Sequence, residues 1–71
     1  MIEQADAIQV QSLALDAIAS LTKALDLSIT RASPEIRGEL KRGLGLSIGI
    51  IETELLSVLY RLHPSIDPSE E

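Results

Sequence analysis

Four side chains of kinds that do chemistry stand close together in this sequence: Glu52, Glu54, Tyr60 and His63. Helical bundles hold a pair of iron ions through glutamates combined with Glu-x-x-His pairs. The residue three before His63 is Tyr60, so that motif is missing. On an α-helix Glu52 and Glu54 point about 200° apart, so one chain cannot bring them to a common ligand. His63 is the single histidine and cysteine is absent, which leaves no donor set for a structural zinc site and no disulfide. No Ser–His–Asp set, phosphate-binding loop or cysteine nucleophile can be assembled. His63 precedes a proline, where it reads as a helix-end residue whose cation would suit the helix dipole. Catalysis is therefore not expected, and neither is a cofactor or a metal.

The basic residues Arg37, Lys41 and Arg42 are interleaved with Glu35 and Glu39, the pattern of a solvated helix face. Acids outnumber bases 11 to 6 and the net charge is −5. Neutralising phosphates needs a basic face, so this balance argues against nucleic acid as a partner.

Glycine supplies the more unusual signal. Gly38, Gly45 and Gly49 project into one narrow sector of the same helix, beside its apolar stripe. Each costs about 1 kcal/mol relative to alanine in a helix interior, so something should offset them. A smooth strip of this kind lets another backbone come close. The expectation is a helix-packing strip at Gly38, Gly45 and Gly49, used within one chain or between chains. The alternative is a break or kink at Gly43-Leu44-Gly45. A second strip, Leu46, Ile50, Thr53, Ser57 and Tyr60, runs where charge would be expected. Contiguous exposed apolar residues mark interfaces and tyrosine favours them. This strip is the candidate contact for a partner.

These residues must be positioned by helices. Of the 71 residues 45% are apolar, nearly all aliphatic, and Tyr60 is the only aromatic. Small sheets and barrels want β-branched residues and rings in alternation. The pattern instead repeats at three and four, through Val10, Leu13, Ala14, Ala17, Ile18 and Leu21 and again through Leu40, Leu44, Ile48, Ile51 and Leu55. The predicted fold is all-α: a helix over about 3–30, a turn at 31–33, and an antiparallel helix over about 34–62. Ser33 suits an N-cap and Pro34 the first helical position. His63-Pro64 ends the second helix. Residues 1–63 form this hairpin, and 64–71 read as a disordered acidic tail.

So small a chain buries little, and the usual staples are missing. The apolar arc of the first helix is wider than one neighbour needs. A homodimer forming a four-helix bundle is the expected remedy. The N-terminus is acidic where a signal peptide would be basic. The most apolar run, Leu44 to Ile51, is too short to span a bilayer and is closed by Glu52 and Glu54. A cytoplasmic protein with no membrane contact is expected. Functionally, the chain reads as a small non-enzymatic helical interaction module: a regulator, inhibitor or adaptor. An obligate subunit or dedicated chaperone of a larger protein assembly is the alternative.

Overall fold

The computed structural model describes residues 1–70. Helix α1 runs Gln4–Arg31, and helix α2, Pro34–Leu62, returns antiparallel to it. Two 3-10 turns follow, Pro64–Ile66 and Pro68–Glu70. The chain is an all-α hairpin, and no strand occurs among the described residues. It is elongated, 45 × 23 × 16 Å, with a radius of gyration of 14.8 Å. A compact chain of this length would measure about 11 Å.

Backbone sterics make the turn. Ser33 is extended, with φ −65° and ψ 152°, as a residue before proline must be. Its side chain makes no capping bond. The Ser33 carbonyl instead accepts from the Arg37 N–H at 3.0 Å and the Ile36 N–H at 3.2 Å. The Arg37 guanidinium reaches back across the turn and donates to the Ala32 carbonyl at 3.0 Å. Arg37 is thus partly buried in the connection rather than lying on a solvated face.

Close packing is confined to the end of the hairpin away from this turn. The buried side chains are Ala7, Ala14, Leu56 and Leu59, with Val10, Ile51, Tyr60 and Ile66 packed against them. Three segments meet there, because the chain after Pro64 folds back across α1. The Gln11 side-chain amide donates to the Ile66 carbonyl at 3.0 Å, and Gln4 donates to the Ser65 hydroxyl at 3.3 Å. The His63 ring nitrogen Nε2 donates to the Ile2 carbonyl at 2.9 Å. In the stretch 64–71, expected as a disordered tail, Pro64–Ile66 forms a turn tied to α1 and Pro68–Glu70 forms a second turn; Glu71 lies outside the described residues. Two helices alone cannot enclose a side chain, and nothing is buried between Pro34 and Ile50.

Helix α2 does not break at Gly43 to Gly45, and no glycine has a positive φ. Its irregularity lies later. Over Ile51–Leu56 the hydrogen bonding changes to the π pattern, and the Ser57 N–H reaches the Glu52 carbonyl. In the same stretch Thr53 donates to the Gly49 carbonyl at 2.8 Å and Ser57 donates to the Thr53 carbonyl. Such back-bonding competes for helix carbonyls and bends helices. A π turn holds an extra residue, so every later side chain rotates relative to a straight α-helix. Leu55, on the predicted core stripe, is consequently 38% exposed, whereas Leu56 is 5% exposed.

Candidate interaction surfaces

The face of α2 turned away from α1 carries an open groove. Gly38, Gly45 and Gly49 floor it, Leu46 and Ile50 wall it, and Lys41, Arg42 and Thr53 complete its lining. The two strips expected from the sequence therefore merge along their first four turns. Leu46 and Ile50 are 55% and 57% exposed.

The glycines are not spent on the hairpin. A Cβ built on Gly38, Gly43, Gly45 or Gly49 would have no neighbour within 4 Å. Inside the chain Gly38, Gly45 and Gly49 therefore pack against nothing, and the half-buried side of α2 runs instead along Leu44, Ile48 and Ile51. The strip remains available only to something outside the chain.

The second strip also divides. Leu46, Ile50 and Thr53 line the groove, and Ser57 is exposed beyond it. Tyr60 belongs elsewhere. It is partly buried against the core, and its hydroxyl accepts from the Gln11 amide at 3.1 Å. The π turn causes this separation, because the winding over Ile51–Leu56 departs from the constant 100° per residue that places Tyr60 on the strip.

Sequence reasoning also missed Gln11, which joins α1, Tyr60 and the tail through one side-chain amide. Glu52 and Glu54 are both exposed. No three His, Cys, Asp or Glu side chains among the described residues gather as a metal-binding set. Helix Pro34–Leu62 is long and apolar enough, by length and composition, to cross a membrane, with a mean hydropathy of 1.4 in its most apolar stretch. Only 11% of that stretch is buried, so its apolar character faces outward.

No protein-family model, no curated protein and no solved structure matches this chain.

Proposed function

We propose that this protein is a small non-enzymatic helical interaction module, a regulator, inhibitor or adaptor that acts through its helix surfaces as a homodimer in the cytoplasm. The observation that carries this reading is the open, glycine-floored groove with exposed Leu46 and Ile50 on its wall. Glycines at these positions weaken the helix without serving any contact inside the chain. A partner helix laid into the groove would bring its backbone close to the glycine floor and cover both aliphatic side chains. Groove binding of an amphipathic helix is a common recognition mode, read through anchors at spacings of three and four.

The test is capture from native cell extract by the intact chain and by a Leu46→Glu/Ile50→Glu variant. Both positions are solvent-facing in the hairpin, so the substitutions spare its core. A protein retained by the first and lost by the second supports the reading. Identical capture profiles overturn the groove as the binding face.

A second reading is favoured by the small core. With four buried side chains among the described residues, the chain also suits an obligate subunit or dedicated chaperone whose partner completes the packing. In that case the isolated chain is helical by circular dichroism but melts without cooperativity. A cooperative melt of the isolated chain favours the interaction module instead.

A further inference from the structure

We infer that a second copy of this chain covers one specific face of the hairpin, made by both helices together, and leaves the glycine groove free. The inference rests on the reading above that helix surfaces are binding faces, and it assigns the dimer to one of them.

In α1 the residues Ala14, Ile18, Leu21 and Leu25 are buried or half-buried, and their spacing of three and four marks the side turned toward α2. The residue preceding each contact forms a flanking stripe: Leu13, Ala17, Ser20, Ala24 and then Leu27. In α2 the half-buried Arg37, Leu44 and Ile48 mark the corresponding side and are likewise preceded by Ile36, Gly43 and Ser47, with Leu40 between. Both helices are right-handed and run antiparallel. A residue just before a contact position therefore lies on the same side of the hairpin in either helix. The two stripes form one continuous face.

That face carries no charged side chain within either stripe, and its large members are bare. Leu13 is 69% exposed, Leu27 51%, Ile36 45% and Leu40 37%. Between them sit only small residues, Ala17, Ser20 and Ala24 opposite Gly43 and Ser47. Small residues at mid-height let a second hairpin approach closely, while the larger ones fill the ends. The chain's own tail does not cover this face. It is tied to Gln4 and Gln11, which project from the opposite flank of α1.

Area points to the occupant. The chain exposes 5173 Å², whereas a folded monomer of 7.7 kDa exposes about 4,300 Å². The surplus of about 800 Å² equals one partner's share of a standard interface. Closed two-fold dimers are the commonest solution, and stacking two hairpins through this face gives a four-helix bundle.

The experiment uses the full chain, with mass measured by light scattering and helicity by circular dichroism. The expected mass is twice that of the chain. Leu27→Glu/Leu40→Glu should weaken association by about 100-fold or more and give a helical monomer, while Leu46→Glu in the groove keeps the dimer. The chain has no cysteine, so single-cysteine variants report proximity independently of any loss of folding. With a short bis-maleimide, Ser20→Cys should link into covalent dimers and Thr53→Cys should not. Linking through Thr53→Cys alone, or a dimer that survives Leu27→Glu/Leu40→Glu, overturns this assignment and leaves the interaction reading standing. A single-chain mass with a cooperative melt at every concentration overturns the dimer in both readings.

Discussion

The Gln11 amide donates to the Tyr60 hydroxyl at 3.1 Å and to the Ile66 carbonyl at 3.0 Å, so one residue of α1 joins α2 and the chain that follows it. These bonds lie at the end of the hairpin that holds the buried side chains of the described residues. Tyr60 meets Gln11 because the π turn has rotated it out of the strip of Leu46, Ile50 and Thr53. A local change in helix winding thereby decides which residues hold the fold and which remain free for a partner.

Gln11→Ala removes both donors and leaves the Tyr60 hydroxyl and Ile66 carbonyl half-buried without them. A net bond contributes about 1 kcal/mol, and orphaned groups add to the loss. The expected destabilisation is about 1–2 kcal/mol in urea unfolding, with Tyr60→Phe costing less than Gln11→Ala. Equal stability of Gln11→Ala and the unmodified chain would show that the tail contributes nothing to folding.

Leu55 and Leu56 form the sharpest test of the π turn. Truncating a buried leucine to alanine costs about 2–5 kcal/mol, whereas exposed positions stay within about 0.5 kcal/mol. Leu56→Ala should therefore be the severe variant and Leu55→Ala the mild one, read as a shift in the urea midpoint. The reverse order means that α2 is a straight α-helix with Leu55 in the core.

Gly45→Ala and Gly49→Ala meet open space, so each should stabilise the isolated chain by up to about 1 kcal/mol through helix propensity. The added methyl groups also raise the groove floor. Capture of a groove-bound partner should weaken while the melting temperature rises. Higher stability with unaltered capture would sink a packing role for the strip.

Helix Pro34–Leu62 passes a test of length and composition for membrane crossing, yet Glu52 and Glu54 stand well inside it. A charge near the bilayer centre costs about 3 kcal/mol on insertion scales. The chain is expected to stay in the supernatant when lipid vesicles are sedimented. Co-sedimentation with neutral vesicles, accompanied by protection of α2 from protease, would reverse the assignment of its outward apolar face to proteins.

Much of the hairpin was legible because its causes are local. Proline restricts the residue before it whatever lies around, so Ser33-Pro34 ended one helix and began the next. An aliphatic repeat at three and four, with one ring and no cysteine, left a helical pair as the consistent reading. The open side of the glycines was harder to see. They share one sector of α2, but whether α1 or solvent meets it depends on how the two helices roll against each other.

The sequence by itself determined the two helices, their antiparallel return and the small, strongly apolar surface available for burial. Only the tertiary structure decided which faces were used. A projection at constant angle assumes one winding throughout, and the π turn at Ile51–Leu56 breaks that assumption for every residue after it. It exchanged Leu55 for Leu56 in the core and moved Tyr60 to Gln11. Which side of a helix is buried depends on its winding and on how it rolls against its neighbour, and local preferences alone fix neither.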